Sequence, residues 1–166
     1  VPAVFIALQI TGSPIPQMTG LGTMSEYSVV HETSVVPIDR SIPLDKAALV
    51  GCGVMTGVGA AINTAKVEPA SSVAVFGAGG IGLNVIQGSA IAGANMIIAV
   101  DTNPLKLDFA KAFGATHTVN AQDADPVVAI QELTGGRGAD YTFEAIGNTH
   151  VMHQAFESAR RGGTVA

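Results

Sequence analysis

The chain has 166 residues, 48% of them hydrophobic and only 13% charged, with 20 glycines and a formal net charge of −5. This is the composition of a chain that buries a core, and it excludes a disordered segment, which needs low hydrophobicity and high charge. The Lys and Arg residues are scattered, with Arg160-Arg161 the only adjacent pair, so no nucleic-acid partner is expected; neither is a membrane, since no apolar run reaches the ~18 residues of a span without glycine or polar interruption.

Val1 to Ile10 is apolar, and the prolines and glycines of residues 12–22 read as a loop. Tyr27 to Val30 and Ser34 to Ile38 read as short strands because of their β-branched content. Pro43 to Val50 and Gly53 to Ala65 read as two helices, separated by the glycines around Cys52.

From residue 73 the pattern becomes regular. Strands are expected at Val73–Phe76, Met96–Val100 (closing on Asp101), Thr116–Val119 and Tyr141–Ile146, with a further one beginning at Gly163. Helices are expected at Ile81–Ala92, from Asn103 as N-cap and Pro104 at the first helical position, at Asp125–Leu133 and at Thr149–Ala159. The Asn103 helix is assigned the inner face Leu105, Phe109, Ala112 and Phe113, and Gly114 its stop. Strands alternating with helices imply an α/β domain, a doubly wound parallel sheet of Rossmann type.

Within that pattern, Gly77, Gly79 and Gly82 fit G-x-G-x-x-G directly after a strand and at the start of a helix. Gly77 permits the turn off the strand, Gly79 lets the backbone approach a pyrophosphate, and Gly82 lets helix and sheet close up. The phosphates would rest on the N–H groups at the helix start, where the dipole favours negative charge. Asp101 stands 19 residues after Gly82, the place for an acid that accepts hydrogen bonds from ribose hydroxyls. A carboxylate there repels a 2′-phosphate, so NAD is expected over NADP. Lys106 is near enough to reach the same ribose; it reads equally well as a solvated helix lysine.

Cys52 is the single cysteine, which rules out an internal disulfide and fits a cytoplasmic setting. Alone it reads as a buried small hydrophobe as readily as a ligand. His150 and His153, spaced i, i+3, make a weak metal pair. The first residues do not read as a secretory signal, and the apolar opening and the glycine turn near Ala166 read as the ends of a piece of a longer polypeptide.

Taken together, Gly51-Cys52-Gly53-Val54-Met55-Thr56-Gly57, the Gly77–Gly82 turn, Asp101-x-Asn103-x-x-Lys106 and Phe143-Glu144-Ala145-Ile146-Gly147 closely resemble the zinc-dependent medium-chain alcohol dehydrogenases. The match is nearest to the branch that contains the class III, glutathione-dependent formaldehyde dehydrogenases, and Ser25 to Val30 is similar to the family strand that leads back into the catalytic domain. The resemblance implies residues 1–52 as the β-rich end of a GroES-like catalytic domain and 53–166 as an incomplete NAD-binding Rossmann domain. It implies Cys52 as one ligand of a catalytic zinc, and Thr56 in the catalytic site against the nicotinamide with Ile81 near the same ring. Gly77, Gly79, Gly80 and Gly82 would line the pyrophosphate, Asp101 and Lys106 would hold the adenosine ribose, and Ile146 would border the adenine. Asn148 stands where several relatives carry arginine, which removes that contact. The parent would oxidise an alcohol or hydroxymethyl-thiol adduct by zinc-assisted hydride transfer to NAD, as a homo-oligomer, while the fragment alone would be inactive. Two rival readings remain: a nucleotide-binding module without chemistry, and a zinc-free reductase of the same superfamily.

Overall fold

The computed structural model describes residues 8–10, 13–15 and 26–166, and the chain divides into two compact units, 1–42 and 43–166. In the first unit, β1 (Leu8–Ile10) pairs antiparallel with β2 (Ser13–Ile15), Leu8 opposite Ile15 and Ile10 opposite Ser13. The strand Ser13–Ile15 therefore falls inside the segment expected to be a loop; Pro14 is tolerated because a two-stranded ribbon leaves it an edge position. Most of the expected loop and of the apolar opening lies outside the described residues. Residues 27–30 and 34–38 are not strands: Glu32–Ser34 forms a 3₁₀ turn between them, and Val29 and Val36 are exposed. Their β-branched side chains lack the half-buried sheet surface that makes such residues favour strands.

The second unit begins with one helix rather than two. Helix α1 (Leu44–Thr64) runs straight through Gly51-Cys52-Gly53, with wide π-type turns at Val50–Val54 and Ala60–Thr64. An interior glycine costs about 1 kcal/mol of helix propensity, which packing recovers at Gly57. A Cβ on Gly57 would stand 2.5 Å from the Asn84 Cβ and from the Ile81 carbonyl oxygen, and one on Gly88 would stand 2.9 Å from the Val58 Cα. By length and mean hydropathy α1 could also cross a membrane; its glycine face is taken up by the neighbouring helix.

The rest is an all-parallel sheet of β3 (Ser72–Phe76), β4 (Met96–Asp101), β5 (His117–Asn120), β6 (Ala139–Glu144) and β7 (Ala159–Val165), in spatial order β5-β4-β3-β6-β7. The helices are α2 (Gly80–Ile91), α3 (Pro104–Ala112), α4 (Pro126–Leu133) and α5 (Thr149–Ser158). Alternation along β3 divides the core: Val73 and Val75 pack with Val85, Ile86, Leu107 and Ala110 on one face, while Ala74 and Phe76 pack with Ile130 and Ala155 on the other. This is the expected doubly wound architecture. The Asn103 cap agrees as well, its Oδ1 accepting from the Leu105 N–H at 3.0 Å; Asp125, expected as the first residue of its helix, is instead its N-cap, Oδ1 accepting from the Val127 N–H at 2.8 Å.

Three details differ from the sequence reading. The inner face of α3 is Leu107 and Ala110 with Phe113 alongside, while Leu105 and Phe109 are 68% and 63% exposed; two apolar stripes coexist on this helix, and periodicity does not say which one the crossover turns inward. β6 ends at Glu144 instead of Ile146: after Ala145, whose N–H still reaches the Phe76 carbonyl, the Glu144 side chain captures the Ile146 and Gly147 amides. β7 starts at Ala159, the expected last residue of the preceding helix, and not at Gly163; a register shift between Ala139 and Tyr141, with Gly162 at φ 72°, lets the strand begin four residues early.

Candidate functional site

Because β4 and β6 flank β3 and lead to helices on opposite faces, a crevice opens at the carboxyl end of β3, the place where such sheets bind ligands. Gly77 leaves β3 at φ 95° and donates its N–H to the Val100 carbonyl at 2.7 Å. A Cβ on Gly82 would lie 1.7 Å from the Gly77 carbonyl oxygen, so only glycine lets α2 start this close to the turn. Gly79 is the N-cap of α2, and no side chain caps it; the space where its Cβ or that of Gly80 would stand is open. The turn thus presents bare backbone at a helix start, the form that receives a phosphate.

Asp101 closes the other side of the turn. It is only 8% exposed, and its two oxygens are divided: Oδ2 accepts from the Ala78 N–H at 2.9 Å, and Oδ1 from the Asn103 N–H at 2.9 Å. Lys106 Nζ stands 3.7 Å from Oδ2. Beside this pair is a cavity of about 200 Å³, lined by Asp101, Thr102, Lys106 and Ile146 with Phe76, Ala121 and Val151 among its apolar walls. Thr102, Ala121 and Val151 carry no motif and were not singled out from sequence. Position is the signal that finds them, since they sit just past the ends of β4 and β5 and in the first turn of α5.

Helix α1 reaches the same end of the sheet. A Cβ on Gly53 would be 4.0 Å from the Gly80 carbonyl oxygen, and Gly57 lies against Ile81, so the segment carrying Cys52 and Thr56 runs past the start of α2. Cys52 is exposed and sits within one helix, not between two. Among the described residues no group of three His, Cys, Asp or Glu could hold a metal ion. The residues present therefore do not by themselves fit zinc. His153 instead faces Glu157, Nδ1 to Oε2 at 3.3 Å.

At the opposite end of the sheet, Asp140 fastens three strands. Its Oδ2 accepts from the Ser72 hydroxyl at 2.6 Å and the Ser72 N–H at 2.8 Å, and its Oδ1 meets Arg160 Nε. Burial pushes this carboxyl up, but the Ser72 hydrogen bonds and the Arg160 charge together outweigh it and hold the pKa at about 2, against an ordinary 3.8.

Residues 80–166 match the family described as zinc-binding dehydrogenase. The chain belongs to that family. Among curated relatives, the S-(hydroxymethyl)glutathione dehydrogenase of Haemophilus influenzae is 51% identical over 91% of the chain. That of Photobacterium damsela subsp. piscicida is 50% identical over 92%. The chain spans about two fifths of the length of these relatives, 40% and 42%. Among solved structures, benzyl alcohol dehydrogenase from Acinetobacter calcoaceticus superposes with a TM-score of 0.76 at 38% identity, over 78% of this chain and 36% of that one. An alcohol dehydrogenase from Thermus sp. ATN1 gives 0.72 at 32% identity, over 77% and 36%.

Proposed function

We propose that this chain is the nucleotide-holding part of an NAD-dependent, zinc-assisted alcohol dehydrogenase that oxidises an alcohol or a hydroxymethyl-thiol adduct. The observation that carries the reading is the Asp101 carboxylate, nearly buried, turned toward the bare glycine turn and flanked by Lys106 beside a cavity. An acid in that position accepts from ribose hydroxyls and disfavours a 2′-phosphate. The relatives, an S-(hydroxymethyl)glutathione dehydrogenase and a benzyl alcohol dehydrogenase, support the reaction class and the substrate.

In this reading Gly77, Gly79, Gly80 and Gly82 receive the pyrophosphate, Asp101 and Lys106 hold the adenosine ribose, and Ile146 borders the adenine. Thr56 and Ile81 stand against the nicotinamide. NAD, when bound, accepts a hydride; the chain's own part is to orient it and exclude water. Cys52 contributes one zinc ligand, with the others supplied from outside the described residues. The nucleotide domain runs over 53–166, residues 1–52 close the catalytic domain, and the parent is a cytoplasmic homo-oligomer.

NADH fluorescence titration tests the central claim. Asp101→Ala is expected to weaken NADH binding by roughly tenfold to a hundredfold, the loss of one to two charge-assisted hydrogen bonds. Equal affinity in the variant removes Asp101 from the ribose.

A further inference from the structure

The motif Phe143-Glu144-Ala145-Ile146-Gly147 contains one polar residue that the cofactor reading leaves without a task. Glu144 is the last residue of β6, and its Oε1 accepts three successive backbone amides: Ile146 at 2.9 Å, Gly147 at 2.8 Å and Asn148 at 3.3 Å. Hydrogen bonds to an ionised acceptor are roughly twice as strong as neutral ones, so one side chain fixes the path of the backbone through the whole turn. Gly147 completes it at φ 82°, a conformation that disfavours any side chain. Asn148 then passes the chain to α5, its Oδ1 accepting from the His150 N–H at 2.9 Å.

The consequence is felt at Ile146. A Cβ on Gly77 would stand 2.6 Å from the Ile146 Cγ1, so this side chain is seated on the first glycine of the phosphate turn. Yet Ile146 is 55% exposed and lines the cavity. A half-exposed isoleucine on a connecting turn has too little packing to hold itself in one place. What holds it is the backbone, and what holds the backbone is Glu144.

We infer that Glu144 is a positioning residue for the adenosine half of the nucleotide: its carboxylate clamps the 146–148 turn and keeps Ile146 standing as a preformed wall of the cavity. The inference rests on the nucleotide reading above. A wall already in place spares the ligand the cost of ordering it on binding, so the effect appears in affinity for the adenosine portion.

ADP-ribose is the probe, since it carries the adenosine and pyrophosphate without the nicotinamide. Its affinity is measured by calorimetry for wild type, Glu144→Ala, Glu144→Gln, Ile146→Ala and the Glu144→Ala/Ile146→Ala double variant. Glu144→Ala is expected to bind roughly tenfold more weakly, and Glu144→Gln, whose carbonyl oxygen still accepts, to stay within about threefold of wild type. On the Ile146→Ala background, Glu144→Ala should cost less than about twofold more, because the two act through one contact. Full additivity in that cycle overturns the inference, as does unchanged affinity in Glu144→Ala. Where circular dichroism shows Glu144→Ala unfolded, Glu144→Asp, which withdraws the carboxylate by one methylene, takes its place with the same outcomes. A wild type that does not bind ADP-ribose overturns the nucleotide reading and this inference together; a wild type that binds, with variants that bind equally, overturns the inference alone.

Discussion

At the scale of the residue, the chemistry of this chain lies in what each polar atom is allowed to touch. Asp101 spends both oxygens on backbone amides of two different segments, and so joins the glycine turn to the start of α3 before any ligand arrives. Thr142 is the opposite case. It is fully buried on β6, and its hydroxyl has no partner among the described residues. A buried unpaired hydroxyl costs about 1–3 kcal/mol, and replacing it by a methyl of the same shape removes that cost. Thr142→Val is therefore expected to raise stability by about 1 kcal/mol in urea unfolding with the slope unchanged. A midpoint that falls instead would mean that the hydroxyl is satisfied in solution.

At the scale of the element, Asp140 ties β3 to β6 and β7 with one carboxylate. Its folded pKa of about 2 lies below the ordinary 3.8, so the stability it supplies is complete above the unfolded value and is lost as pH falls through the folded one. Asp140→Asn should be less stable than wild type by about 1 kcal/mol at neutral pH, allowing for screening at the more open Arg160 side. The gap between the two proteins should close between pH 4 and pH 2 in thermal melts; a gap that stays constant over that window takes the charge out of the account.

The same scale shows what sequence conveys well. The start of α3 was legible because Asn103-Pro104 states a helix start in local chemistry alone. The α3 face was not, because Leu105 and Leu107 both lie on apolar stripes and only the sheet beneath decides between them. The single helix through Gly51 and Gly53 was hidden for a related reason: those glycines read as a break, while the packing that holds the helix comes from Gly57 against α2, a contact local sequence does not show.

At the scale of the whole molecule, the glycine turn, the acid and the parallel sheet were all readable, since spacing and periodicity encode them. The cavity walls were not, being gathered from strand ends far apart in the chain. All of those walls belong to residues 43–166. A protein lacking residues 1–42 is thus expected to bind NADH within about threefold of the 166-residue chain, a difference below 1 kcal/mol, measured by the same fluorescence titration. A tenfold loss would assign the first unit a part in holding the nucleotide.

The strand order carries a consequence in time. β3 is the earliest strand of the parallel sheet in the sequence and lies at its centre, with β4 and β5 to one side and β6 and β7 to the other. Its first neighbour follows within one βαβ unit, but Ser72 meets Asp140 only across 68 residues. During synthesis, at ~5–20 residues per second, half of the sheet can form while the other flank of its central strand still waits, for several seconds, for its partner to be made. Through that interval an apolar strand stands with an open edge, and a nascent chain in that state is what a chaperone recognises.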